Sequence, residues 1–461
     1  MSPQALGAPT ERQVERSMQF TYAQALFNSV FVASTGGMFL IGYALRLGAD
    51  NFRIGLLSSV PMCCVVAQLA GAYLVERGFR RKRLTIVFTL LQVLCWAAVV
   101  LIPVLGEGRS ADVRVGLLIA VIALVTLFAH VGANARASWV GDLVPPKRRG
   151  TFFGRLSLFG GIVGTLFALA EGGFLDWVKQ MGLGAFTVLF AIGMLFGVVA
   201  ALLFLPQADV PLHKETRSVP FRGRIRQTFA NGPLMALMLF AVLWSLQTVA
   251  MPFYHTYMLR DLKMPFFGVG LTNAATILTF LASSPFWGRI VDRYGCRPVI
   301  ILCAFAFAPI QAIWIPLDTP AKVYAAVIPA NLLVGFLVGG LNVALNTLIY
   351  KLIPSAGRSV QIAVYSVIVV LLSAPMPALG GKLPELFQRL GLGSDLRYTF
   401  YLSGFFTLIA AFAALRIREE GAQGARALLV KLPRHLMRPS TLPASHPPPP
   451  LDLPGETAPH S

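Results

Sequence analysis

The chain has 461 residues, of which 56% are apolar and 13% charged, and its mean hydropathy is +0.68. Soluble domains carry roughly 25% charge, so this composition excludes a water-soluble globular protein and makes lipid the natural solvent. The formal net charge of +19 then reads as an excess of cations on one membrane face, with the bilayer and not nucleic acid as the partner.

In chain order, residues 1–17 form a polar N-terminal segment with Glu11, Arg12, Glu15 and Arg16. The first apolar run is too long for the core of a cleavable signal peptide. Apolar runs follow at about 20–46, 54–75, 84–104, 115–139, 152–174 and 183–205. They resume at about 232–258, 267–287, 298–316, 321–350, 359–381 and 398–416. Twelve spans of about 20 residues account for roughly half of the chain. Several contain Gly or Pro, which predicts tilt or kinking.

Lys and Arg set the orientation. With the N-terminus inside, the inner segments hold 27 basic residues and the outer loops 11, with Arg136 inside a span. Both termini are therefore expected in the cytoplasm. No Asn-x-Ser/Thr acceptor occurs, which fits a bacterial inner membrane. The expected units are 1–17, a first six-helix bundle over 18–206, a cytoplasmic linker over 207–229, a second bundle over 230–416, and a tail over 417–461. The tail opens with the basic stretch "ARALLVKLPRHLMR" and carries nine prolines from 433 onward. It is expected to be disordered, its first part either solvated or lying along the anionic inner leaflet.

The five cysteines show no CxxC pair, and all but Cys296 fall in apolar runs. They read as small buried hydrophobes, with no disulfide framework, metal site or cofactor expected.

The two halves repeat. "YALRLGADNFRIGL" begins at Tyr43 and "YMLRDLKMPFFGVGL" at Tyr257. Tyr43 pairs with Tyr257, Arg46 with Arg260, Gly55 with Gly270 and Glu76 with Asp292, at offsets of 214, 214, 215 and 216. A weaker echo links "LVP" at 143–145 to "LIP" at 352–354. A duplicated six-helix unit follows, both copies in one orientation because six is even.

Two compact charged turns occupy matching places. "GRIVDRYGCR" contains Gly288, Ile290, Asp292, Arg293, Gly295 and Arg297. "AYLVERGFRRK" contains Leu74, Glu76, Arg77, Arg80 and Arg81. The first of these resembles the loop signature of the major facilitator superfamily, between the eighth and ninth spans. The other is a degraded copy, with Ala72 and Phe79 where the family has glycines. The resemblance covers roughly 18–416 and implies an all-α membrane fold of twelve transmembrane helices in two six-helix bundles. It also implies a latch that holds the outward-open state, formed by Glu76, Arg77, Arg80, Gly288, Asp292, Arg293, Gly295 and Arg297. Physically, a carboxylate in so short a turn can accept hydrogen bonds from a helix N-terminus, and the arginines can pair with carboxylates or headgroups.

The resemblance further implies a cavity lined by the first, fourth, seventh and tenth spans. The polar side chains there are Gln24, Asn28, Ser34 and Thr35; His130, Asn134 and Arg136; Trp244, Gln247, Tyr254 and His255; and Asn331, Asn342 and Asn346. The eleventh span adds Gln361 and Tyr365. Of these, Asn28, His130, Asn134, Arg136, Trp244, Gln247, His255, Asn342, Asn346 and Tyr365 are the candidate substrate contacts. A polar stripe facing lipid is costly, although Asn, Ser and Thr also serve as glue between helices. Arg136 either pairs structurally or holds an anionic substrate group. Phe128 stands where family members often carry an Arg, a departure from the usual proton-linked pattern. Glu171, near the outer end of the fifth span, is the coupling candidate, with His130 and His255 behind it.

The function expected is a secondary transporter working by alternating access on a small organic molecule, neutral and polar or amphipathic. Both uptake and proton-coupled efflux stay open. The alternative is a transporter-shaped sensor or scaffold acting through its tail. An enzyme is not expected, since there is no H-E-x-x-H, no clustered carboxylates and no phosphate loop. The chain is expected to act as a monomer.

Overall fold

The computed structural model describes residues 9–210, 221–314, 316–353, 358–391, 395–419, 421–422 and 428. The described structure is helical throughout. Eleven helical runs are long and apolar enough to cross a membrane, and Tyr398–Ala414 makes a shorter, apolar twelfth.

The first crossing consists of α1 (Glu11–Thr35) and α2 (Gly37–Arg46). It starts earlier than the polar segment 1–17 suggested. A capping box explains this: Gln13 and Thr10 each accept from the other's backbone amide, satisfying donors that a helix start leaves open. The crossing breaks at Gly36, and Gly37 takes φ +53, a left-handed conformation that favours glycine. The second crossing is α3 (Asn51–Cys63), a short 3₁₀ turn and α4 (Ala67–Glu76); the next four are α5 (Arg81–Leu105), α6 (Ala111–Leu143), α7 (Arg149–Trp177) and α8 (Leu183–Leu202).

The linker expected to be a plain polar connection contains a helix, α9 (Phe221–Ala230); residues 211–220 of that segment lie outside the described residues. The seventh crossing, α10 (Gly232–Ser245) and α11 (Met251–Thr256), is interrupted by a 3₁₀ turn at Leu246–Val249 and ends in a π turn at Tyr257–Asp261. Then come α12 (Phe266–Tyr294), α13 (Cys296–Phe307) with a 3₁₀ extension to Trp314, and α14 (Pro320–Leu352). The eleventh crossing breaks near Pro375 into α15 (Arg358–Ser373) and α16 (Met376–Arg389), and α17 (Tyr398–Ala414) completes the set.

The duplication is visible in hydrogen bonds. The hydroxyl of Tyr43 donates to the carbonyl of Val99, at the outer end of α5, over 3.2 Å. The hydroxyl of Tyr257 donates to the carbonyl of Leu317, just beyond the ninth crossing, over 2.5 Å. Each paired tyrosine thus ties the end of its half's first crossing to the end of its third.

The apolar core shows how the halves meet. Toward the outer ends one cluster is continuous across both: Phe31, Tyr43, Trp96 and Phe190 pack in it with Phe253, Tyr257, Trp314 and Phe400. Toward the inner ends it separates. Met18, Trp139, Phe152 and Phe204 form one cluster, and Trp287, Tyr294, Leu341 and Tyr365 belong to another. Apolar burial is the main cohesive term, so the molecule is sealed on its outer side and parted on the side that carries its termini.

The second bundle runs past the boundary expected at 416. Ile417 is fully buried, and the Glu419 carboxylate accepts from the amides of Cys296 and Arg297, both at 2.7 Å. The proline-rich part of the tail lies outside the described residues.

Candidate functional site

The outer seal is built from close backbone contacts. A Cβ on Gly55 would lie 2.2 Å from the carbonyl oxygen of Pro377, and one on Gly381 would lie 2.3 Å from that of Asn51. These join α3 to α16. On the other seam, α7 meets α12, and a Cβ on Gly172 would lie 3.0 Å from backbone atoms of Phe266 and Phe267. Hydrogen bonds reinforce both seams. Asp176 accepts from the amides of Phe266 and Phe267, both at 2.8 Å. A carboxylate at a helix N-terminus satisfies open donors and meets the positive end of the dipole. Arg260 donates to Asn51 over 2.7 Å, and the amide of Ala378 donates to Ser59 over 3.0 Å. Phe39 and Phe186 pack on Phe266 across the halves.

Below this seal lie two adjoining cavities. One, about 430 Å³, is lined by Val32, Gly36, Met38, Phe39, Asn273 and Ile277, among others. The other, about 460 Å³, runs toward the inner face and is lined by Thr21, Gln24, Asn28, Arg136, Phe153 and Ser157, among others. Asn28, Ser29, Gly160 and Gly161 line both. Glycines shape this space because α7 lies close on α1: a Cβ on Gly160 would come within 2.9 Å of the Ser29 hydroxyl oxygen.

Arg136 sits seven residues before the end of α6, about 10 Å along the axis. Among the described residues its guanidinium makes no hydrogen bond or ion pair, and no acidic side chain lines its cavity. Gln24 is 5% exposed, and its Nε2 has no hydrogen-bond partner.

Glu171 lies one turn beyond Ala168, which lines the apolar cavity. It is buried, with one carboxyl oxygen accepting from Ser34 and the other unpartnered. Ser34 comes two residues before the break in the first crossing.

Other predicted residues are placed differently. His130 faces Gln68 of α4 over 3.1 Å, and Asn134 donates to the Gln68 carbonyl over 3.4 Å. Both therefore bridge the second and fourth crossings, as polar glue between helices does. Trp244 packs on Phe240 and Phe307 within the second half. The carbonyl of Gln247 accepts from Ser403. His255 pairs with the amide of Asn273, a lining residue of the apolar cavity. Asn342 and Asn346 are exposed along one face of α14 and bonded to each other. Tyr365 is buried in the core of the second half, so its side chain serves packing in this conformation.

The charged turns tie helices within each half. Gly78 and Gly295 both take φ +91. The glycine missing at Phe79 is thus supplied one residue earlier, and the turn forms. Gly288 faces open space. Asp292 and Arg293 are exposed; Asp292 makes no hydrogen bond or ion pair among the described residues, and Arg293 rests over Tyr294. Arg77 lies over Tyr73, and Arg80 is exposed at the start of α5. The side chain of Glu76 lies outside the described residues. In the first half, Arg81 pairs with Asp142 over 2.7 Å and donates to the carbonyl of Val210. In the second, Glu419 caps α13 and pairs with Lys351 over 2.9 Å, and Arg297 donates to the carbonyl of Leu415. The helix-capping carboxylate expected in the turn itself is thus supplied by Glu419. Burial raises the Glu419 carboxyl, but the Arg297 amide, Lys351 and the Cys296 amide outweigh this and hold it below the usual carboxylate range.

Asp176, Ser29, Ser157 and Asn273 were not singled out from the sequence. For Asp176 no local signal exists, since its partners are 90 and 91 residues away.

The Major Facilitator Superfamily model matches residues 22–258 and 245–446. A human protein, Major facilitator superfamily domain-containing protein 10, is 30% identical over 219 residues, which are 46% of this chain and 43% of that protein. The match thus spans less than half of this relative. Among solved structures, a mutant of the nucleoside transporter NupG aligns with a TM-score of 0.65 at 12% identity, over 87% of this chain and 100% of that one. A bacterial homolog of the human lysosomal transporter Spinster, inward-facing and occupied, aligns with a TM-score of 0.64 at 15% identity, over 90% and 100% of the respective chains. At these identities the structures establish the shared fold alone.

Proposed function

The chain belongs to the Major Facilitator Superfamily, and from that premise we propose that it is a secondary transporter moving a small organic solute by alternating access. The two six-helix units are the bodies that rock. The observation that carries this reading is the core, continuous across the halves on the outer side and divided on the inner side. The cavities begin directly beneath the closed part. A solute entering from the inner face meets Arg136, Gln24 and Asn28 first and the apolar cavity beyond.

Movement to the opposite state opens the seams at Gly55, Gly172 and Gly381 and frees Asp176 from α12. The charged turns at Glu76 to Arg80 and Asp292 to Arg297 are then brought together as the inner latch.

Glu171 is the coupling group of this proposal. A carboxylate buried beside one hydroxyl and no cation is costly in its ionised form. Opening of the outer seam would let it exchange a proton with the outside. The membrane proposed is a bacterial inner membrane. The test is uptake or release of a metabolite panel by proteoliposomes carrying the purified chain, with and without a pH gradient. Gradient-driven accumulation of at least one solute supports the proposal; no movement of any solute under either condition counts against it.

A further inference from the structure

We propose that the cavity around Arg136 seats the acid group of an amphipathic organic anion, a carboxylate carried on an apolar body; this deepens the transport reading and rests on it. Two donor groups of this cavity are unmatched. The Arg136 guanidinium stays charged in any protein setting. It lies about two turns inside the helix end, lines a cavity of about 460 Å³, and has no partner among the described residues. The nearby acids of this half are engaged elsewhere, Asp142 by Arg81 and Glu15 by Arg148. Gln24, 95% buried and lining the same cavity, leaves Nε2 without an acceptor.

A buried donor left unpaired, as Gln24 Nε2 is, is unfavourable, and the half-buried Arg136 is a cation at membrane depth, which marks a pathway more often than a strut. Two donor groups lining one cavity that has no acidic lining residue call for an acceptor-only ligand group, and a carboxylate matches the guanidinium fork. A single lining cation suits a single negative charge.

The rest of the ligand is set by the adjoining space. That cavity, about 430 Å³, is walled by Val32, Met38, Phe39 and Ile277 and by glycines, with no charged lining residue. Both volumes fall in the ordinary range of small-molecule sites. A mineral anion would leave this second space unused, whereas an apolar body attached to the acid fills it.

The test uses the purified full-length chain, with phenylbutyrate and its neutral isostere phenylbutyramide as probes, in titration calorimetry. The wild-type chain should bind the acid about tenfold or more tightly than the amide, as charge-assisted bonding requires. Arg136→Gln should erase that preference, and Arg136→Lys should keep part of it. Equal binding of the two probes, or a preference that survives in Arg136→Gln, overturns the proposal. Should Arg136→Gln fail to fold by thermal melting, Gln24→Leu carries the test. It should weaken the acid and leave the amide unchanged, and an unaltered acid affinity is the overturning result. A headgroup is separated from a soluble acid by repeating the titration in phosphatidylcholine vesicles with and without phosphatidylglycerol. Acid binding that persists supports the proposal, and acid binding abolished by phosphatidylglycerol assigns Arg136 to lipid and overturns it. Selective binding of the acid with no movement of any solute of the panel in vesicles would leave this site standing and sink the transport reading. Accumulation of both probes, unaltered by Arg136→Gln, would do the reverse.

Discussion

Gly172 and Gly381 hold equivalent places in the two halves: each lets its helix rest on the backbone that opens a helix of the opposite half. They are 209 positions apart, the same interval that separates Leu143 from Leu352. The outer seal is thus duplicated along with the chain. Its two seams differ in tightness. A Cβ would come within 2.3 Å of the Asn51 carbonyl oxygen at Gly381, but only within 3.0 Å of the Phe266 carbonyl carbon at Gly172.

Gly381→Ala should therefore disfavour the closed seam by about 1–3 kcal/mol, the usual range for overpacking, and Gly172→Ala by less. Spin labels across the outer ends of α3 and α16 would report this as a population of longer distances, larger for Gly381→Ala. Transport should fall in the same order.

Asp176 and Asp292 are expected to act with opposite signs. Asp176 caps α12 from the other half in the observed state, so Asp176→Ala removes a capping interaction of about 1 kcal/mol. The inward-facing population should drop about fivefold relative to the outward-facing one. Asp292 makes no hydrogen bond or ion pair among the described residues in the observed state. Asp292→Asn should leave the inward-facing state as stable as before and deplete the outward-facing one. Cysteine accessibility from each face distinguishes the two shifts.

Glu171→Gln should uncouple movement from the pH gradient and preserve exchange. Gln keeps an acceptor for Ser34 and cannot release a proton. Counterflow of labelled solute without a gradient should continue in the variant, and gradient-driven accumulation should disappear. Loss of both would assign Glu171 to packing.

Glu419 makes the inner end of the second bundle sensitive to acid. Its folded carboxyl is held below the ordinary value of 4.5. The stabilisation is therefore complete above that value and is lost as pH falls through the lower folded one. Glu419→Gln should lower the melting temperature at neutral pH, consistent with loss of a charge-assisted bond worth about 1.5–3 kcal/mol. It should also flatten the decline in melting temperature below about pH 4.5.

Much of the architecture was legible in the sequence because lipid imposes a simple rule: apolar runs of sufficient length become crossings. The repeat was legible too, and Tyr43 and Tyr257 make matching bonds to carbonyls. What stayed hidden was the direction in which each helix turns its polar face. His130 and Asn134 lie one turn apart on the fourth crossing, as expected of a cavity face, yet they meet Gln68. Tyr365 reads as a polar handle and is packed as an apolar ring. Helix rotation is set by neighbours far away in sequence, and no local pattern reports it. Asp176 and Glu419 carry no local sign of their capping role, because the helix ends they cap are brought to them only by folding.

The most direct test of the central claim is sided labelling of a cysteine placed at Asn28, in a chain whose native cysteines are replaced, reconstituted without ligand. A membrane-impermeant maleimide should reach it from the face that carries the termini and be excluded from the opposite face, where Gly55, Gly172 and Gly381 close the seams. Labelling from the opposite face alone would contradict the account.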